Sequence, residues 1–188
     1  MEPLSRYYFD NGVFKLKSKW PKRIRTLVST LFILFGCSTV SDLNFAQELS
    51  FRERHSQLVD TLAVSIPLKD AKQIVDSTYK WAKEFNVDEK LILAVAKIES
   101  KFNKHAISPS GAYGVMQIIP VWHKEKILAA RAKLGNPELF HIDTNIFLGT
   151  WILKDCLIKT GNTIKALQCY SGQTAGYSQK VMSEYQKL

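Results

Sequence analysis

The sequence predicts a mainly α-helical, globular domain with at most a very small β element. Apolar residues make up 46% of its 188 residues and charged residues 23%, which is typical of a chain that folds around a core. From residue 70 onward, apolar residues recur at intervals of three and four, as they do along one face of a helix. The alternating pattern of strands is nearly absent, and only residues 113–119 are a candidate for a short extended segment.

Residues 1–41 have the composition of a basic leader followed by an apolar targeting segment. The first 30 residues carry seven basic and two acidic side chains, and residues 26–41 contain no charge. This is the pattern of a secretory signal, and its end at Cys37 resembles the bacterial lipoprotein signal. An uncleaved anchor and a core helix are the alternatives, although a membrane span needs about 20 apolar residues. We expect an exported protein of the periplasm or cell envelope, attached to the membrane through lipidation of Cys37 or through the apolar segment.

The rest of the chain divides into a linker and a helical domain. Residues 42–69 are weakly patterned and are predicted to be a linker or surface segment, with a break at Pro67. Residues 70–188 are predicted to form the domain, with Asp88 as an N-cap and Gly135 and Gly161 as helix ends. The predicted helices cover residues 70–85, 89–102, 122–134, 144–159, 163–170 and 174–187.

The cysteines, histidines and charges beyond the N-terminal segment indicate which cofactors and partners the protein is expected to have. Cys156 and Cys169 could form a disulfide after export, and two buried thiols are an equally good interpretation. The four histidines and these cysteines lack the spacing of metal ligands, so we expect neither a metal nor a cofactor. Beyond residue 30 there are 19 basic and 15 acidic residues, a small excess that argues against a nucleic-acid partner. We expect a monomer.

Glu99 is the candidate for acid–base chemistry. Residues three or four apart share one face of a helix, which puts this carboxyl on the apolar stripe of Ile92 and Val95. Loss of hydration favours the neutral form of a carboxyl and raises its pKa. An acid that stays protonated near neutral pH can protonate a leaving oxygen. The structural alternative is a carboxylate at the edge of the stripe, paired with Lys97 or Lys101.

The loop over residues 108–117 is the second feature that indicates a site. It contains two glycines, which let a backbone approach another surface closely. Its last residue, Gln117, carries one acceptor and two donors, a combination suited to hydroxyl and acetamido groups. A single Gly-x-x-Gly is often an ordinary turn. A Glu-Ser pair that ends an apolar helix, followed by this loop, is much more specific.

These motifs resemble the catalytic domain of the soluble lytic transglycosylases, a family that shares the goose-type lysozyme fold. The resemblance spans residues 73–188 in the expected order. It rests on residues 98–100, 108–117, 143–146, Gly149, 166–172, Tyr177 and Val181. It implies a lysozyme-like helical domain over residues 70–188 with Glu99 as its single catalytic acid.

The resemblance also implies which residues surround the acid. Those expected to bind substrate are Ser108, Gly114, Met116, Gln117, Tyr170 and Tyr177. Those expected to support the site are Ser100, Gly111, Ser171 and Asn145, the last as a helix cap. Core packing is the alternative for Met116. Ser171 stands where the family usually has Asn, and its hydroxyl can still donate and accept a hydrogen bond.

The implied substrate is peptidoglycan, and the implied reaction cleaves its β-1,4 bond between N-acetylmuramic acid and N-acetylglucosamine without water. Ordinary glycosidases use two carboxylates. The motif-bearing segments offer no second one, since Asp88 and Asp143 are expected at helix starts. Glu99 would act as acid and then as base, leaving 1,6-anhydromuramic acid ends. Two alternatives stay open, a lysozyme-type hydrolase of the same bond and a dormant peptidoglycan-binding or assembly protein.

Overall fold

A computed structural model of the protein describes residues 7–10, 13–16, 44–135 and 138–188. The chain divides into two compact units, Met1–Arg52 and Glu53–Leu188. In the first unit, strands β1 (Tyr7–Asp10) and β2 (Val13–Leu16) pair antiparallel, which the basic composition of this segment does not predict. The predicted signal or anchor, including Cys37, lies outside the described residues. In the described part of the chain, no helix is long and apolar enough to cross a membrane.

The prediction of a mainly helical domain is confirmed. The described residues 44–63 are helical and are called α1. The helices that follow are α2 (Leu68–Phe85), α3 (Glu89–Ser100), α4 (Lys124–Leu134), α5 (Ile142–Thr160), α6 (Thr163–Tyr170) and α7 (Tyr177–Tyr185). The β structure of the second unit consists of isolated bridges that join Tyr113 to Ile107 and to Ile118.

Residues 44–63, which belong to the predicted linker, form helix α1. Within α1, Val59 and Leu62 are buried in the hydrophobic core of the second unit. The ring of His55 stacks on Tyr79 with centroids 5.6 Å apart, and its Nε2 lies 2.7 Å from Asp76 Oδ1. The compact unit therefore begins before residue 70. The sequence pattern missed this because few positions of α1 face the core.

Helix α5 is the central element of the second unit. Eleven of its 19 residues are buried, which explains why its apolar residues follow no single stripe. It packs against α2 on one side and α6 on another, while α3 packs against α7. Between α2 and α5, the Trp81 and Phe147 rings meet edge to face at 4.7 Å between centroids. This core holds α5 rigidly beneath the loop of residues 108–117.

The ends of α3 are defined by local hydrogen bonds. Asp88 is the N-cap, as predicted, and its Oδ1 accepts from Lys90 N at 2.8 Å and Leu91 N at 3.3 Å. Its other oxygen accepts from the Tyr185 hydroxyl at 2.7 Å, which ties the start of α3 to the end of α7. Helix α3 ends at Ser100, two residues earlier than predicted, because the backbone turns into the left-handed region at Lys101.

Cys156 of α5 and Cys169 of α6 form a disulfide. The sequence left open a disulfide or two buried thiols, and the structure contains the disulfide. The bridge joins two helices that also pack on each other, so it constrains the position of α6.

We expect the Cys156→Ser/Cys169→Ser variant of the full chain to lose about 3 kcal/mol of unfolding free energy. A disulfide that closes a loop of about 15 residues restricts the unfolded chain by roughly that amount. Urea denaturation with and without reductant measures the loss. Reductant should lower the unfolding free energy of wild type to that of the double variant and leave the double variant unchanged. Cys37→Ser, which removes the third cysteine and keeps the disulfide, is the control and should behave like wild type. A wild-type curve that does not respond to reductant would contradict the role of the bridge.

Candidate active site

Glu99 lies in the last turn of α3, on the stripe that the sequence predicts. Ile92 and Val95 of this stripe are fully buried, and Glu99 itself is half-buried. Its Oε1 accepts a hydrogen bond of 2.5 Å from the hydroxyl of Tyr177. Among the described residues it forms no ion pair, so the alternative pairing with a neighbouring lysine does not occur there.

The surroundings of Glu99 favour its protonated form. Burial raises the pKa of this carboxyl above its ordinary value of 4.5, and the hydrogen bond from Tyr177 lowers it in part. Burial, followed by the nearby Glu99 charge, raises the pKa of the Tyr170 and Tyr177 hydroxyls far above their ordinary value. Both tyrosines therefore remain hydrogen-bond donors at any physiological pH.

The two tyrosines bind protein atoms of the site rather than facing open solvent. Tyr177 is the first residue of α7 and reaches Glu99 from the helix that packs on α3. Tyr170 is the last residue of α6, and its hydroxyl donates to the Met116 carbonyl at 2.8 Å. Sequence reasoning predicted substrate contacts for both. In the structure the Tyr177 hydroxyl binds the acid and the Tyr170 hydroxyl binds the loop, and the substrate contacts stay a prediction.

The loop of residues 108–117 is closed by its own hydrogen bonds. Gly111 N donates to the Ser108 carbonyl at 2.9 Å, and the Ser108 hydroxyl accepts from Ala112 N at 3.1 Å. The Gln117 side-chain amide donates to the carbonyls of Ala106 and Gly114 at 3.2 and 3.0 Å. These bonds use the amide nitrogen of Gln117 and leave its Oε1 as the acceptor for another group.

Asn145 fastens this loop to α5. Its side chain is fully buried, and its Oδ1 accepts from Met116 N at 2.7 Å. Its Nδ2 donates to the carbonyls of Tyr113 at 2.8 Å and Leu139 at 2.7 Å. The prediction of a helix cap is wrong, because α5 begins at Ile142 and Asn145 binds backbone groups of two other segments. The sequence signal for this role of Asn145 is an Asn on a helix face that is otherwise buried.

Two glycines permit this close packing. A Cβ on Gly114, whose φ is 79°, would lie 2.3 Å from Asn145 Nδ2. A Cβ on Gly149 would lie 2.4 Å from the sulfur of Met116. Met116 is fully buried against Gly149, so its side chain packs in the core and is not available to substrate. Its backbone nitrogen and oxygen are the atoms held by Asn145 and Tyr170.

Two further serines, Ser100 and Ser171, form hydrogen bonds within the protein. The Ser100 hydroxyl donates to the Val115 carbonyl at 2.7 Å, which joins the end of α3 to the loop. The Ser171 hydroxyl donates to the Gln168 carbonyl at 3.1 Å and accepts from Thr174 N at 3.2 Å. Ser171 thus closes the turn between α6 and α7, which explains why α7 begins three residues later than predicted.

The site therefore presents one carboxyl with a raised pKa beside two tyrosine hydroxyls. None of the other described carboxylates is among the groups that shift the pKa of Glu99. Asp143 is held by Trp81 Nε1 at 2.9 Å and Lys80 at 3.0 Å, and Asp70 is held by Lys104 at 2.7 Å. Within the described ranges, no cluster of His, Cys, Asp and Glu could hold a metal ion. Such a site can donate and accept a single proton.

The chain belongs to the transglycosylase SLT domain family, which matches residues 76–187, more than half of its length. This match confirms the resemblance read from the motifs. A membrane-bound lytic murein transglycosylase C of Edwardsiella ictaluri (strain 93-146) is 35% identical over 85 residues, covering 44% of this chain and 24% of the relative. The protein of the same name from Serratia proteamaculans (strain 568) is 31% identical over 116 residues, covering 57% of this chain and 32% of the relative.

The chain thus matches about a quarter to a third of the length of these relatives. Among solved structures, the 70 kDa soluble lytic transglycosylase of Escherichia coli is 20% identical to this chain, with a TM-score of 0.49. That comparison covers 70% of this chain and 25% of the other.

We expect Asn145→Ala to lower the free energy of unfolding by about 3 kcal/mol. The change removes the partner of Met116 N and of the Leu139 carbonyl, whereas the Tyr113 carbonyl still accepts from Ile118 N at 3.0 Å. Each backbone group left without a partner destabilises by about 1–3 kcal/mol. Urea denaturation of the full chain measures it. The matched control is Asn103→Ala, which removes a single exposed acceptor of His105 N. Equal stability of the two variants would show that Asn145 does not hold the loop.

Proposed function

We propose that the protein cleaves the β-1,4 bond between N-acetylmuramic acid and N-acetylglucosamine in peptidoglycan without water, forming 1,6-anhydromuramic acid ends. The observation that carries this proposal is Glu99, a half-buried carboxyl with a raised pKa and no carboxylate partner among the described residues. Membership of the transglycosylase SLT domain family supports it, as do the relatives named as lytic murein transglycosylases.

The first step is acid catalysis by Glu99. Tyr177 donates to Oε1 of the carboxyl, so the proton of the neutral acid resides on Oε2. From there it passes to the glycosidic oxygen as the bond from that oxygen to C1 breaks, and N-acetylglucosamine leaves with the proton. The acetamido group of the muramic residue stabilises the positive charge at C1. The Tyr177 hydrogen bond strengthens as Glu99 becomes ionised, because bonds to charged acceptors are the stronger ones.

The second step uses the same residue as a base. The Glu99 carboxylate takes the proton of the C6 hydroxyl, whose oxygen then bonds to C1 and closes the 1,6-anhydro ring. The proton balance returns Glu99 to its neutral form, which is the form its burial favours. A hydrolase would instead need a base to activate water, as inverting glycosidases do with a second carboxylate.

The loop of residues 108–117 is proposed to line the sugar cleft. Gln117 Oε1 is suited to accept from a sugar hydroxyl or acetamido N–H, since the amide nitrogen already binds the loop. Ser108 and the backbone around Gly114 complete the proposed contacts. Tyr170 and Asn145 hold this loop from two sides, which keeps its backbone in one position.

Residues 1–41 are proposed to export the protein and attach it to the membrane, through lipidation of Cys37 or an uncleaved apolar segment. The uncharged residues 26–41 behind a basic flank support this proposal. So do the relatives whose names call them membrane-bound. The second unit would then act on the glycan strands from the membrane surface of the cell envelope.

Glu99→Gln is expected to fold and to lose about a thousandfold or more of the cleavage rate, since general acid and base catalysis contributes about 10²–10⁴-fold. Mass spectrometry of digested peptidoglycan should find 1,6-anhydromuramic acid ends with wild type only. The control is Glu89→Gln in the first turn of the same helix, which should retain activity. Reducing ends would establish hydrolysis, and no product from folded wild type would favour a binding protein.

The unfolding free energy of Glu99→Gln should also depend on pH differently from that of wild type. A carboxyl with a raised pKa in the folded state contributes stability that is present at low pH and is lost as pH rises from 4.5 through the folded value. Glu99→Gln lacks this loss, so its unfolding free energy should equal that of wild type in acid and exceed it near neutrality. A wild type that gains stability over that range relative to the variant would contradict the raised pKa.

Tyr177→Phe is expected to lower kcat about tenfold and to move the basic limb of the pH–rate profile to higher pH. The hydrogen bond from Tyr177 lowers the pKa of Glu99, so its removal lets that pKa rise further. A hydrogen bond to a charged group is worth about 1.5–3 kcal/mol. Tyr185→Phe on the same helix, which loses only its bond to Asp88, is the control and should leave the profile in place. An unshifted profile in Tyr177→Phe would remove this residue from the site.

A further inference from the structure

A cavity lies where α5 ends and α6 packs against it. Its volume is about 450 Å³, and it is open to solvent, since Lys159, Lys165 and Gln173 of its lining are exposed. Its walls come from the end of α5, from α6 and from the turn beyond α6. The lining residues are Lys159, Thr160, Lys165, Gln168, Cys169 and Gln173.

The lining is cationic and rich in amide groups. Lys159 and Lys165 form no ion pair with any residue that the structure describes, whereas Lys80, Lys104 and Lys126 each bind a carboxylate. No carboxylate lines the cavity, so its two like charges lack a counter-ion. The side chains of Gln168 and Gln173 add donors and acceptors of the kind that pair with peptide groups. The chemistry fits a short peptide that bears carboxylates.

The walls of this cavity are already held in place. The disulfide between Cys156 and Cys169 joins the two helices, and the Thr160 hydroxyl donates to the Cys156 carbonyl at 2.8 Å. Gln173 N donates to the Gln168 carbonyl at 2.8 Å, which fixes the turn. Because the backbone of these walls is fixed, binding would have to order only the side chains that line the cavity.

Helix α6 connects this cavity to the candidate active site. Gln168 and Cys169 line the cavity, and the next residue, Tyr170, donates its hydroxyl to the loop beside Glu99. Peptidoglycan strands carry peptide stems with free carboxylates on their muramic residues. Their carboxylates have the charge that complements Lys159 and Lys165 of the cavity.

We propose that the cavity between α5 and α6 binds the carboxylate-bearing peptide stems of peptidoglycan, with Lys159 and Lys165 as the carboxylate-binding groups. This inference rests on the proposed function for the identity of the ligand. The cavity itself is independent of the catalytic chemistry, so binding can be measured without turnover.

The test titrates the tripeptide L-Ala–γ-D-Glu–diaminopimelate into full-length Glu99→Gln protein by calorimetry. Adding Lys159→Gln/Lys165→Gln should weaken binding about fivefold, the effect of two exposed ion pairs of about 0.5 kcal/mol each. The matched control is Lys72→Gln/Lys83→Gln, two exposed lysines of α2 without ion pairs to described residues, which should leave affinity unchanged. The tripeptide with its carboxyls converted to amides should bind weakly to all three proteins.

The activity arm compares intact peptidoglycan with glycan strands stripped of stems by an amidase. The Lys159→Gln/Lys165→Gln variant of the active protein should show a KM about fivefold higher on intact material, with kcat unchanged, and wild-type values on stripped strands. Equal losses on both substrates, or equal effects of the two lysine pairs, would overturn the proposal. So would a hexaglutamate peptide that binds as tightly as the tripeptide, since that result favours an acidic protein partner.

The two proposals fail separately. If wild type leaves peptidoglycan uncut while tripeptide binding still depends on Lys159 and Lys165, the proposed reaction is wrong and the peptide site stands. If anhydro ends form but the tripeptide binds the lysine variant as tightly as its parent, the reaction stands and the peptide site is wrong.

Discussion

The buried side chain of Asn145 is the constraint on which the rest of the site depends. It accepts from one backbone N–H and donates to two carbonyls of segments outside the helices. Buried backbone groups without partners are strongly unfavourable, so an irregular loop can lie against α5 only where such a side chain is available. Through Asn145, the loop of residues 108–117 is held against the buried helix α5.

The loop is also connected to α5 through helix α6. The Met116 carbonyl accepts from Tyr170 at the end of α6, and the neighbouring Cys169 is bonded to Cys156 of α5. Helix α5, the loop and α6 therefore form a closed circuit of contacts. A closed circuit holds each member more precisely than a single contact would, because a shift of one member strains two others.

Glu99 combines two opposing effects on its pKa. Burial favours the neutral acid, and the Tyr177 hydroxyl favours the carboxylate, with burial the larger effect. In the proposed mechanism Glu99 first releases a proton and then takes one up, and the hydrogen bond from Tyr177 offsets part of the effect of burial on its pKa. The position of Tyr177 at the start of α7, which packs on α3, makes this balance a property of tertiary packing.

The sequence by itself determined the helical class, the position of most helices and the identity of Glu99 as the acid candidate. The helical class and the helix positions follow from local periodicity, which records which face of a helix is buried. The choice of Glu99 also needed the Glu-Ser pair, the loop of residues 108–117 and the family resemblance that these motifs carry. Only the tertiary structure decided that Asn145 holds the loop, that Met116 packs in the core and that Tyr177 binds Glu99. It also decided that residues 44–63 are helical. The periodicity of one helix does not encode its neighbours, so contacts between residues 30 to 80 positions apart become visible only once the helices are packed.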